Sequence, residues 1–212
     1  MSHAHAETPG IVIHGSRAYD IVFGPLIRTT DAAILARAGI VPGDRVLDVG
    51  TGPGYLALAA AKLVAPGGAA VGIDASPEMI ARARARAAQR GSQAEYTVAT
   101  AESLPFESAS FDVVVSRLVF HHLPGDAKVA ALREMARVLR PHGRLLIVDF
   151  AAGAARGAHR ILAHVMGNRP DAGADLKALI HSAGFTKLTS GTFVHGMLAG
   201  VAARNPERGA LG

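Results

Sequence analysis

Short apolar runs alternate along this chain with longer stretches whose apolar residues recur at helical spacing. The runs predict strands near 45–49, 69–73, 95–99, 111–116 and 143–150, and the helical periodicity predicts helices near 54–65, 76–90 and 126–140. Val113-Val114-Val115 and Leu145-Leu146-Ile147-Val148 are apolar at every position, the pattern of strands buried on both faces. Repeated strand–helix alternation of this kind predicts a parallel sheet covered by helices on both sides. Before the first strand, residues 17–40 carry helical character, with 31–39 ending at a glycine C-cap, Gly39. Residues 1–15 read as a loosely docked tail. Towards the other end, a helix over 171–183 stops at Gly184, and 185–193 and 195–203 suggest two strands around a short turn.

The punctuation between these elements carries the candidate chemistry. Asp48-Val49-Gly50-Thr51-Gly52-Pro53-Gly54 joins the first strand to the first helix of the alternating series. Glycines there let the backbone turn tightly and let a ligand approach where side chains would collide, and the following helix begins with free N–H groups. Val71-Gly72-Ile73-Asp74 ends the second strand on a carboxylate, placed to accept hydrogen bonds from both hydroxyls of a ribose. Ser76 and Pro77 then suit the N-cap and first position of the next helix. A nucleoside cofactor fits this arrangement, but glycines alone do not say which one.

Composition narrows the class. The 212 residues fit one domain; half are hydrophobic and 18% are charged, which excludes extensive disorder. No apolar run is long enough to cross a bilayer, and Met1-Ser2-His3-Ala4-His5 lacks the charged start and apolar segment of a signal peptide, so a soluble, cytoplasmic protein is expected. The absence of cysteine excludes disulfides and thiolate chemistry. Net charge is +5, yet Arg82, Arg86 and Arg90, and again Arg133, Arg137 and Arg140, recur at helical spacing and read as solvated outer faces. No aromatic residues interleave with them to stack bases, so nucleic acid is not the expected partner.

Taken together, Val46–Gly54, Gly72–Met79, Ala101–Phe106, Phe111–Arg117 with His121-His122-Leu123, and Arg133–Pro141 resemble the class I S-adenosylmethionine (SAM) methyltransferases. The likeness is strongest to the small-molecule branch that includes the ubiquinone/menaquinone C-methyltransferases. It implies a Rossmann-like fold, a seven-stranded, mostly parallel sheet with helices on both faces and its last strand antiparallel. Residues 1–40 would form a tail and helical cap, and residues 41–212 the methyltransferase domain. The implied cofactor is SAM, leaving as S-adenosylhomocysteine. Its methionine end is expected near Asp48 and Ser116, its backbone contacts at Gly50, Thr51, Gly52 and Gly54, its ribose on Asp74, and its adenine between Ala75 and Met79 with Ala101 and Glu102 at the edge. Thr100 stands where many relatives carry Asp, so the adenine contact is expected to shift to a hydroxyl, Glu102 or backbone. Tyr19, beside Asp20, is expected to cover the sulfonium or bind the cofactor carboxylate. Ser116-Arg117-Leu118-Val119 replaces the N/D-P-P-Y/F motif of amino-directed nucleic-acid methyltransferases, which favours a small-molecule acceptor.

His121 and His122 follow the fourth strand, near the expected acceptor entrance, and are the candidate bases. His159, His164, His181 and His195 are weaker ones, and no spacing suggests a metal. The acceptor pocket is expected among 14–30, the loop after His122 and 150–170, with Phe23, Leu26, Phe120, Phe150, Leu162 and Met166 as apolar lining and Arg28, Arg117, Arg156 or Arg160 facing an acidic group. The segment after strand five is short, which suggests an open pocket or one completed by a homodimer. Asp112, Arg133, Glu134 and Pro141 are expected to be structural, and His142 to lie in a turn away from the cofactor. Two alternatives stay open at this point: a catalytically inactive SAM-binding sensor or partner protein, and a nicotinamide-dependent oxidoreductase. G-x-G-x-G spacing, in place of G-x-G-x-x-G, disfavours the second.

Overall fold

A computed structural model describes residues 29–151, 176–193 and 198–206 of the chain. Helix α1 (Asp31–Ala38) leads into β1 (Arg45–Val49), α2 (Tyr55–Val64), β2 (Ala69–Asp74), α3 (Pro77–Gln89), β3 (Glu95–Val98) and β4 (Phe111–Arg117). A 3-10 turn (Phe120–His122) and α4 (Gly125–Val138) precede β5 (Leu139–Phe150). Helix α5 (Leu176–Ser182), β6 (Thr186–Phe193) and β7 (Leu198–Arg204) complete the described elements. The sheet order is β3-β2-β1-β4-β5-β7-β6. Strands β1 to β5 pair in parallel, and β7 runs antiparallel to both β5 and β6.

Period-two alternation splits the central strands between two cores. Val46, Val113, Val115, Leu146 and Val148 pack with Ile34 and Leu35 of α1 and Leu56 and Ala60 of α2. Leu47, Val49, Val114, Leu145 and Ile147 pack with Leu132 and Met135 of α4, Ile180 of α5 and Phe185. Strands buried this way have no solvent face, which is why they read as continuous apolar runs. Local signals mark the helix ends. Gly39 closes α1 in the left-handed conformation, and the Ser76 side chain caps α3 by accepting from Met79 N–H at 3.3 Å, with Pro77 next to it.

The structure changes three expectations. First, Pro141-His142-Gly143 lies within β5, not before it. Phe111 pairs with Leu139 and Val113 with Arg144, so the intervening residues loop out as a bulge. His142 there has φ 62°, and its N–H donates to the Asn205 carbonyl. The Asn205 side-chain amide donates to the carbonyls of Ala136, Leu139 and Arg140, pinning the bulge at the sheet edge opposite the strand C-termini. Second, two arginines expected in solvated stripes are half-buried and bonded to backbone. Arg137 donates to the Leu104 and Phe106 carbonyls and pairs with Glu134. Arg86 donates to the Pro53 carbonyl and stacks 4.0 Å over the Tyr55 ring. Third, Arg117, expected to face the acceptor, pairs with Asp31 of α1 in a mostly buried contact. Asp112 is structural as expected, accepting from Arg45 N–H at 2.9 Å.

Candidate active site

The C-terminal ends of β1, β2, β4 and β5 form one crest, and the chain's punctuation gathers there. In an open parallel sheet a ligand binds outside these ends, at the point where strand order reverses. Here that point lies between β1 and β4.

The β1–α2 turn needs its glycines for separate reasons. Gly50 has φ 73°, and a Cβ on it would stand 2.1 Å from Val119 Cγ2. Gly54 has φ 84°, and its Cβ would collide with Ala83 and Tyr96. The Tyr96 hydroxyl donates to the Gly54 carbonyl at 3.0 Å, and Thr51 N–H donates to the Ile73 carbonyl at 2.8 Å. Gly52, also left-handed at 53°, has nothing among the described residues within 4 Å of an added Cβ. The centre of the turn therefore borders space that no described residue fills.

Asp74 closes one side of that space. One carboxylate oxygen accepts from Gly52 N–H and the other from Ser76 N–H, each at 2.9 Å. An ionised carboxylate offers about four lone-pair sites, so each oxygen can accept again, as two sugar hydroxyls require. Burial raises the Asp74 pKa above the ordinary value, and the Ser76 and Gly52 N–H groups oppose the rise. Ala75 is exposed and Met79 half-buried just beyond. Ala101 (buried) and Glu102 (half-buried) follow β3 on the loop to β4. Asp48, at the end of β1, is buried and accepts from Thr51 Oγ1 at 2.6 Å. Burial pushes its pKa up to about 6, against the Thr51 hydrogen bond and nearby Arg117.

Ser116 is buried at the end of β4 and donates to the Val49 carbonyl at 2.9 Å, tying β4 to β1. Beyond it Leu118 takes φ 59°, a conformation a leucine rarely adopts, with its N–H on the Val148 carbonyl. The turn it starts lays Val119 against Gly50 and delivers His121 to the end of β5. His121 is 2% exposed. Its Nδ1 lies 2.8 Å from Asp149 Oδ1, its backbone N–H donates to Asp149 Oδ2 at 3.1 Å, and its Nε2 is buried without a partner among the described residues. His122 is half-buried, with its ring 3.8 Å from that of His121. Burial, and then His121, push its pKa down to about 4.

The structure thus brings Asp48, Gly50, Thr51, Gly52, Gly54, Asp74, Ala75, Met79, Ala101, Glu102, Ser116, His121 and His122 to one edge of the sheet. Tyr19 and Asp20 lie outside the described residues, as do Phe23, Leu26, Arg28, Arg156, His159, Arg160, Leu162, His164, Met166 and His195. His181 sits on α5 beside edge strand β6, away from the crest. Sequence reasoning missed Asp149. Its signal was the one that marked Asp74, an acid ending an apolar strand, at Leu145–Val148.

Crest, crossover order and glycine turn define a Rossmann-like methyltransferase fold. Residues 46–143 match a family model described as a methyltransferase domain. An uncharacterized protein of Mycobacterium tuberculosis is 39% identical over 143 residues, covering 68% of this chain and 50% of that protein. The ubiquinone/menaquinone biosynthesis C-methyltransferase UbiE of Ectopseudomonas mendocina is 36% identical over 134 residues, 62% of this chain and 52% of its own. Among solved structures, a Haemonchus contortus phosphoethanolamine N-methyltransferase in complex with SAM matches with a TM-score of 0.75 at 21% identity, over 91% of this chain and 57% of that one, which is a likeness of fold. The matched segment is a methyltransferase domain similar to that of UbiE. The chain spans about half the length of the curated relatives it matches.

Proposed function

We propose that this chain transfers a methyl group from SAM to a small-molecule acceptor by in-line displacement. The observation that carries the reading is the Asp74 bracket. A carboxylate held by Gly52 and Ser76 N–H keeps acceptor capacity beside the open space over Gly52. SAM supplies a sulfonium-activated methyl group, so the protein's task is largely alignment. Asp74 receives the ribose hydroxyls, and the Gly50–Gly54 backbone lies against the cofactor. Asp48 attracts the methionine ammonium, Ser116 supports that end through β1, and Ala75 and Met79 flank the adenine with Ala101 and Glu102 at its edge. Tyr19 belongs to the same proposal as a cover over the sulfonium. Likeness to a relative named for ubiquinone/menaquinone biosynthesis supports a small acceptor.

Calorimetric titration of the full chain with SAM, S-adenosylhomocysteine and NAD tests this reading. SAM and its product should bind, and NAD should not. Asp74→Ala should weaken SAM at least about tenfold, since hydrogen bonds to a charged group contribute about 1.5–3 kcal/mol. Binding of NAD in place of SAM would remove the proposal, and full SAM affinity in Asp74→Ala would remove the ribose assignment.

A further inference from the structure

Resting on that reading, we propose that His121 is the general base of the site, that Asp149 is its positioning residue, and that the acceptor attacks through a hydroxyl group, for which phenols serve as the probe. His121 Nε2 is a buried polar side-chain atom with no hydrogen-bond partner among the described residues. Native structures rarely leave such an atom unsatisfied, and those that do often have a ligand or a reaction to fill the vacancy.

The surrounding bonds decide which ring nitrogen carries the proton. Asp149 accepts at both oxygens, from His121 N–H at Oδ2 and from Phe150 N–H at Oδ1, and Oδ1 also faces His121 Nδ1. An ionised carboxylate only accepts, so the proton sits on Nδ1 and Nε2 presents a lone pair. Capture of a second proton at Nε2 would leave an imidazolium in contact with the Asp149 carboxylate. Among the described residues His122 makes no contact of this kind with a carboxylate, and burial lowers its pKa to about 4, which leaves it little capacity to hold a proton near neutrality. Among the described residues, Asp149 from β5 and His122 from the same turn are the titratable groups facing His121, and Phe150 adds an apolar edge with ring centroids 4.9 Å apart. The left-handed Leu118 fixes the turn so that one short stretch touches both Gly50 and Asp149.

An oriented base indicates what the acceptor needs. A neutral amine attacks through its lone pair and sheds its proton afterwards, whereas a hydroxyl is a poor nucleophile until its proton leaves. In the step proposed, the hydroxyl proton moves to His121 Nε2 as the oxygen–methyl bond forms. The sulfur–methyl bond breaks with its electron pair staying on sulfur, and the proton then passes to water.

Three measurements on the full chain test this. With ¹⁵N-labelled histidine, NMR at pH 7.5 should show His121 protonated at Nδ1, and Asp149→Asn should disturb that tautomer. A wild-type proton on Nε2 would overturn the proposal. With labelled SAM, a panel of phenols should be methylated at oxygen and matched anilines much more slowly. Transfer to anilines alone, or to neither while SAM binds, would overturn the acceptor class. His121→Phe should keep SAM affinity and lose about 100-fold or more in kcat on phenol, Asp149→Asn should lose about tenfold with a displaced pH profile, and His122→Phe should lose less than about threefold. A nitrophenol, ionised without help, should restore most of the His121→Phe rate, which a purely structural role would not do. Undiminished transfer to phenol by His121→Phe would sink this assignment alone, while failure to bind SAM would sink the earlier reading.

Discussion

Replacing Asp48 by Asn should stabilise the cofactor-free protein at neutral pH while weakening its ligand. Asp48 is buried, and burial raises its pKa from 3.8 to about 6. At 1.36 kcal/mol per tenfold change in acidity, holding the carboxylate ionised in the fold costs about 3 kcal/mol. The sign follows from linkage. A folded-state pKa above the unfolded one means that folding favours the protonated form. The associated stability is present in full below about pH 4 and is lost as pH rises through about 6. Asn is nearly isosteric, can still accept from the Thr51 hydroxyl, and never ionises. Urea unfolding of cofactor-free wild type and Asp48→Asn should therefore show the variant about 1–3 kcal/mol more stable at pH 7.5 and nearly equal at pH 4. The same variant should bind SAM more weakly, because the charge that strains the fold is the one offered to the ammonium. A variant less stable than wild type at pH 7.5, or one stabilised equally at both pH values, would refute the burial argument.

Two contrasting substitutions in the same turn and one at a distant site give further tests. Gly50→Ala should cost about 2–4 kcal/mol in thermal or urea unfolding, from left-handed strain and collision with Val119. Gly52→Ala, with open space around its Cβ, should cost only about 1–2 kcal/mol yet lose SAM affinity by calorimetry, because the added methyl occupies the ligand's side of the turn. Asn205→Ala should cost about 1–3 kcal/mol through the carbonyls it leaves unpaired, with SAM affinity unchanged.

The elements were legible because their signals are local. Doubly buried strands announce themselves as Val113–Val115 and Leu145–Val148, and Gly39, Ser76 and Pro77 mark helix ends through their own backbone preferences. The glycine turn and Asp74 were legible for the same reason. What escaped depends on partners distant in sequence. Leu139 joins β5 because Phe111 pairs with it, although Pro141-His142-Gly143 reads locally as a turn. Arg86 and Arg137 follow a solvent-facing period, but the carbonyls they bind lie about 30 residues away. Asp149 meets His121 only because β4 and β5 are neighbours. The pairing of Arg117 with Asp31 was not legible because Asp31 comes to it from the start of the described chain.

The loop-out in β5 separates two demands on one strand. From Arg144 to Phe150 the strand must keep step with its neighbours, since Asp149 has to arrive beneath the imidazole. Ahead of Arg144, length is absorbed at Pro141-His142-Gly143 and locked by the backbone and side-chain amides of Asn205. An extra residue or a short reporter grafted there would alter the floor of the molecule and leave the register of its working rim untouched.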